Sequence, residues 1–169
     1  VSTEEVELTR TRTLEWSDPV ATAAAGAEMA GLDYMRALVA GELPAPPIAI
    51  TMNMAPIELS EGRAVFAGEP GEEHYNPIGV VHGGYAATIL DSALGCAVHT
   101  TLPVGAGYTS LGLEVKYLRP ITRDTGRVRC EGVVVHRGRR QATAEARLTA
   151  EDSEKLLATG TSTLMIFEG

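Results

Sequence analysis

Most of this chain alternates between apolar and polar positions, and one stretch does not. From residue 48 onward, "IAITMNMAPIELSEG" and "RAVFAGEPGEEHYNP" read as two strands that turn at 60–62. Four further stretches have strand character: "GYTSLGLEVKYLRPI", "GRVRCEGVVVHRG", "RQATAEARLTAE" and "KLLATGTSTLMIF". The alternation is plainest where Leu111, Leu113, Val115 and Tyr117 are separated by Gly112, Glu114 and Lys116. Turns are expected at 122–126, at Gly138 and at 152–154, which makes these four strands a meander. Between the two groups lies "VVHGGYAATILDSALGCAV", apolar on every side, which predicts a helix over 83–100. The order is therefore strand, strand, long helix, four strands. An all-round apolar helix must be covered on most sides, and a wrapping antiparallel sheet is the simplest cover. That predicts an α+β fold, with sheet edges that invite pairing between subunits.

The first 47 residues show a different pattern. Asp18 and Pro19 form a helix entry, and Gly26 and Gly31 divide the segment over 19–40 into two short helices. Leu32, Met35, Leu38 and Val39 fall on one face, Gly41 ends the helix, and "ELPAPP" is a stiff linker. The expected organisation is an N-terminal helical extension over 1–47, too small to stand alone, and a main domain over 48–169.

Within the apolar helix Asp91 is the one carboxylate, beside Ile89, Leu90, Ala93 and Leu94. An unpaired charge in such surroundings costs several kcal/mol, so Asp91 has either hydrogen-bond partners or a chemical task. Composition narrows the task. The 14 Lys and Arg against 22 Asp and Glu leave a net charge of −8, which argues against nucleic acid as a partner. Cys96 and Cys130 lie far apart with no metal-ligand spacing, so two reduced thiols in a cytoplasmic protein and no metal are expected. The acidic start "VSTEEVELTR" lacks the apolar core of a signal peptide. Glu28, Asp33 and Arg36 make 19–40 too polar to span a membrane. His74, His99 and His136 match no catalytic or metal spacing and read as structural or surface residues.

"NPIGVVHGGYAATILDSALG" followed by "GYTSLGLEVKYLRPI" resembles the PaaI-type acyl-CoA thioesterases of the hotdog superfamily. The shared features are an Asn six residues before HGG, an acid nine residues after its His, and a "YLRP"-like strand end. The resemblance covers about residues 48–168 and implies a hotdog fold, an antiparallel sheet wrapped around a central helix. It implies hydrolysis of an acyl-CoA with no resident cofactor, coenzyme A being part of the substrate. Thioester hydrolysis builds charge on the carbonyl oxygen, and a helix beginning at Gly83 and Gly84 offers unpaired N–H groups there. By resemblance the Gly83 N–H is the oxyanion donor, His82 orients the turn or meets the leaving sulfur, and Asn76 bonds the carbonyl or the attacking water. Asp91 is then general base or nucleophile, with the acid and the HGG turn supplied by different subunits of a homodimer or homotetramer. Alternation turns either Thr109 or Ser110 inward, and the resemblance implies that Ser110 faces the site and holds the water. The "HRGRR" turn, with Arg137, Arg139 and Arg140, is either a solvated hairpin tip or a contact for the phosphates of coenzyme A. The rival readings are a hotdog hydratase or dehydratase and a non-catalytic acyl-CoA-binding protein. A helix opened by HGG favours hydrolysis over the first, and an acidic N-terminus without a recognition helix disfavours a DNA-binding acyl-CoA sensor.

Overall fold

The computed structural model describes residues 9–168, so most of the acidic start lies outside the described residues. The extension forms two helices, α1 (Pro19–Ala27) and α2 (Gly31–Val39). Asp18 caps α1 by accepting the Val20 N–H at 2.9 Å. Gly41, at φ +72°, turns the chain out of α2 in the left-handed region.

Beyond the linker the structure departs from the expected strand. Residues Pro47–Thr51 form a short helix, α3, and the first strand begins only at Met54. Two consecutive prolines start the helical turn, and the Thr51 hydroxyl closes it by donating to the Pro47 carbonyl at 2.9 Å. The strands are β1 (Met54–Ser60) and β2 (Arg63–Gly68), then, after helix α4 (Gly83–His99), β3 (Ala106–Tyr117), β4 (Val128–Arg137), β5 (Gln141–Ala150) and β6 (Leu156–Glu168). The second stretch leaves the sheet at Gly68, and residues Glu72–His74 form a 3-10 turn instead.

All six strands form one antiparallel sheet in the order β1-β2-β4-β5-β6-β3. The expected four-strand meander is therefore wrong by one strand. β4, β5 and β6 do follow one another, but β3 lies at the far edge beside β6, and β4 pairs with β2. Residues 118–127 make this possible. A link of that length spans the roughly 14 Å across three strand spacings, whereas the short loops after β4 and β5 allow only neighbours.

The sheet wraps α4 in a hotdog arrangement. Ile89, Leu90, Ala93, Leu94, Ala97 and Val98 are fully buried against it. Burial of each large aliphatic side chain contributes about 1.5–3 kcal/mol, which overrides the modest helix propensity of a glycine-containing segment. Sheet and helix backbones meet tightly at Gly132 of β4, where an added Cβ would overlap the Ala93 carbonyl oxygen. On the outer face, Arg63 pairs with Glu58 at 3.0 Å and with Glu131, and Arg129 pairs with Glu58 at 2.7 Å. The Arg129 and Arg63 hydrogen bonds hold the Glu58 carboxyl down to about 2. Among the described residues no helix is long and apolar enough to cross a membrane.

Candidate active site

Two groups of the expected residues come together in this chain, at opposite ends of β3. The first surrounds the head of α4. His82 is the N-cap, and its Nδ1 accepts the Gly84 N–H at 2.8 Å, which places the ring proton on Nε2. The His82 carbonyl takes the Tyr85 N–H at 2.9 Å. The Gly83 N–H is left without an acceptor among the described residues, at the positive end of a 17-residue helix. Asn76 lies beside it. Its Oδ1 accepts from the N–H groups of Ile78 at 3.1 Å and Val80 at 3.3 Å, so this oxygen holds the loop that leads into the helix. The side-chain amide nitrogen remains as the donor available to a ligand. Asn76, His82 and Gly83 share a cavity of about 350 Å³, closed on other sides by Tyr117, Arg119 and Ile121.

The second group is centred on Asp91, two turns further along α4. Asp91 is half-buried, and its Oδ1 accepts the Ser110 hydroxyl at 3.0 Å. A β-bulge brings this contact about. Ser110 pairs with Leu164 and Gly112 with Thr163, which leaves Leu111 as an extra residue. The bulge reverses the parity of the strand. Ser110 faces the helix with Leu164 on one side of it, and Leu113 and Val115 face the helix on the other, opposite Ser162 and Gly160. A regular strand could not present both Ser110 and Tyr117, seven residues apart, on one face.

The two groups do not meet within one chain. Eight residues of helix separate Gly83 from Asp91, a rise of about 12 Å. β3, which carries Ser110, is an edge strand, and Leu111 and Tyr117 on it are each 58% exposed. A long edge of this kind is a template for pairing with another strand.

The three arginines end the β4–β5 hairpin, exposed and free of carboxylate partners among the described residues. Arg137 pairs with Ala142, which pairs with Leu164, which pairs with Ser110. Arg137 therefore lies on the helix-facing side of the sheet in the row of Ser110, about 14 Å away across three strand spacings.

Known proteins share this fold. Residues 78–157 match the sequence model described as the thioesterase superfamily. The phenylacetic acid degradation-related protein of Ralstonia eutropha JMP134 is 30% identical, superposes with a TM-score of 0.71, and is matched over 98% of its length and 78% of this chain. A mutant of the phenylacetic acid degradation protein PaaI from Thermus thermophilus is 31% identical over 98% of its length and 71% of this chain, at a TM-score of 0.64. The chain belongs to the thioesterase superfamily. A curated relative from Halobacterium salinarum, named as an esterase, is 50% identical over 48 residues, a match that spans 27% of this chain and only 32% of that relative. The matched segment runs from Ile78 through the helix and β3, and Asn76 lies just before it.

The structure also brings in residues whose roles were not read from the sequence. The Tyr117 hydroxyl donates to the Gly83 carbonyl at 3.2 Å and pins the turn that carries the free N–H. Arg119 donates to the Leu156 carbonyl at 2.6 Å and borders the same cavity. Both stand in the "YLRP" segment, so the motif was visible although its contact with the HGG turn was not. Cys130, buried in the core, and Cys96, part-buried, are not joined in a disulfide. The remaining histidines have structural places: His74 Nδ1 accepts the Gly71 N–H at 3.0 Å, and the His99 ring stacks 5.3 Å from Tyr34. His136 is exposed.

Proposed function

We propose that this protein is an acyl-CoA thioesterase that works as a homodimer or a dimer of dimers. The observation that carries the reading is the unpaired Gly83 N–H at the head of the buried helix, in one cavity with the Asn76 amide. Two donors bordering one cavity suit the oxyanion that forms when a thioester carbonyl is attacked, and such donors supply much of the barrier reduction. His82 holds that turn through Gly84 rather than acting on the substrate directly. Asp91, held by Ser110, acts on the carbonyl carbon as general base toward water or as nucleophile. It does so from the partner subunit, because about 12 Å of helix separates it from Gly83 in its own chain. Pairing along the β3 edge lays two such helices beside each other and offers each Asp91 to the other chain's HGG turn.

Arg137, Arg139 and Arg140 meet the phosphates of coenzyme A. Their support is the shared face with Ser110 and a separation of the order of an extended pantetheine arm. No resident cofactor is required, because the charge that develops is met by backbone dipoles. The test is a panel of acyl-CoA thioesters followed by release of the free thiol. Turnover of at least one acyl-CoA, lost in Asp91→Asn, is expected. A folded preparation that releases no coenzyme A from acetyl, medium-chain or aryl thioesters would overturn the reading.

A further inference from the structure

A second cavity, of about 380 Å³, lies between the N-terminal extension and the body of the fold. Helix α2 supplies one wall through Tyr34 and Leu38, and the opposite wall includes Phe66, Cys96, His99 and Tyr108. The extension is firmly seated there. The Gly31 N–H donates to the Leu102 carbonyl at 3.0 Å, and Gly31 packs so closely on the end of α4 that a Cβ would meet the His99 carbonyl oxygen. Among the described residues no Asp, Glu, Lys or Arg lines the cavity. Its ionisable groups stay neutral near pH 7: burial lowers His99 and raises Tyr34 and Tyr108, and it pushes the Cys96 thiol up to about 12. The space is ample for an apolar ligand, since about 150 Å³ of apolar cavity accommodates benzene.

Tyr108 connects this cavity to the candidate site. It stands two residues before Ser110 on the helix-facing side of β3, and its ring lies over Gly95, where a Cβ would come within 2.7 Å of the hydroxyl oxygen. Gly95 is one helical turn beyond Asp91, about 5–6 Å along the axis. The Asp91 charge acts on both Tyr108 and Cys96. A carbonyl attacked by Asp91 thus sits within a few carbon–carbon bonds of the cavity.

We infer that this cavity is the acyl chamber, and that α2, through Leu38 and Tyr34, makes the enzyme select uncharged apolar acyl groups longer than about four carbons. The inference rests on the thioesterase reading above and extends it to the substrate's acyl part. Chains of up to about four carbons end before the cavity and gain nothing from it. From there to eight carbons, each added methylene enters an apolar wall, which raises kcat/KM or affinity about threefold to fourfold. An acyl chain ending in a carboxylate finds no cation in the chamber and is rejected at equal length.

The experiment uses two readouts on the full chain. Turnover is measured on butyryl-, hexanoyl-, octanoyl- and adipyl-CoA. Binding is measured calorimetrically with the inert thioethers S-butyl- and S-octyl-CoA. In the wild type, octyl is expected to bind more than tenfold tighter than butyl, and adipyl-CoA to be turned over far more slowly than hexanoyl-CoA. Leu38→Trp fills the chamber and is expected to abolish the octyl preference, with a circular dichroism spectrum and thermal transition like those of the wild type as the sign of an intact fold. Leu38→Ala enlarges it and is expected to move the preference toward longer chains. A flat chain-length profile in the wild type, or equal effects of either variant on butyl and octyl ligands, would overturn the chamber while leaving the thioesterase reading in place. Octyl selectivity in binding without turnover of any thioester would do the reverse.

Discussion

Exchange of subunits between two inactive variants tests the division of the site most directly. Attack on a thioester requires a nucleophile within about 3–3.5 Å of the carbon, or a base one hydrogen-bonded water further away, and the oxyanion donor about 3 Å from the oxygen. The two protein groups can then stand at most about 8 Å apart for direct attack and about 11 Å apart through a water, the carbonyl bond included. Gly83 and Asp91 are separated by about 12 Å of rigid helix within one chain. Asp91→Asn keeps the shape and the Ser110 contact but removes the base, so kcat is expected to fall by about 10²–10⁴ with a smaller change in KM. For the other half, Asn76→Asp is the better variant than Asn76→Ala. It retains the oxygen that holds the Ile78 and Val80 N–H groups, and it replaces only the donating amide nitrogen. Its loss is expected at about 10²–10³, as for removal of one oxyanion donor. Equal amounts of the two variants, dissociated and reassembled at random, give half mixed dimers, each with one intact and one doubly defective site. Activity is therefore expected to recover to about one quarter of the wild-type value. Mass-tagged subunits report the exchange and free-thiol release reports the activity. A mixture that exchanges fully yet stays at the level of its parents would refute the shared site.

Replacing Arg137, Arg139 and Arg140 together with Ala is expected to raise KM for acyl-CoA severalfold and to leave a short thioester without the nucleotide nearly unchanged, because remote phosphate contacts act as binding handles; steady-state kinetics on both substrates, repeated at high salt, check it. Gly132→Ala forces a Cβ against the Ala93 carbonyl and is expected to cost at least about 2 kcal/mol, ~4–8 °C in Tm, whereas Gly112→Ala, with open space around it, is close to neutral; calorimetry distinguishes the two. Burial lowers the pKa of His99 below its ordinary 6.5, so as pH falls through that value the unfolded chain takes up a proton that the folded chain resists, and stability declines. Tm is thus expected to drop between about pH 7.5 and 5, and His99→Gln to lessen the drop. The Glu58 contribution does not overlap with this window, since it is lost only as pH falls from about 4.5 toward about 2.

Local chemistry was legible in the chain before any coordinates. The helix over 83–100 closes at His99, within a residue, because helix signals act between positions three or four apart and the cap at His82 is written beside it. The same locality explains Asp18 at the head of α1 and Gly41 beyond α2. Strand existence was also legible, from alternation, but strand partnership was not. β3 reads like the first strand of a meander, yet it pairs with β6, whose sequence lies some fifty residues further on. Nothing within β3 specifies that partner; the length of the 118–127 link and the need to cover α4 from both sides decide it. Period-two counting fails at Leu111 for a related reason. A bulge inserts one residue and reverses the faces beyond it, and only the register against β6 reveals which of Thr109 and Ser110 meets Asp91. The prolines before α3 have the sequence pattern of a linker, since their helical role depends on the turn they enter. The chamber beneath α2 was invisible for the most general reason. It is lined by residues from 34 to 108, and a cavity is a property of the space between elements, which arises only when distant segments pack.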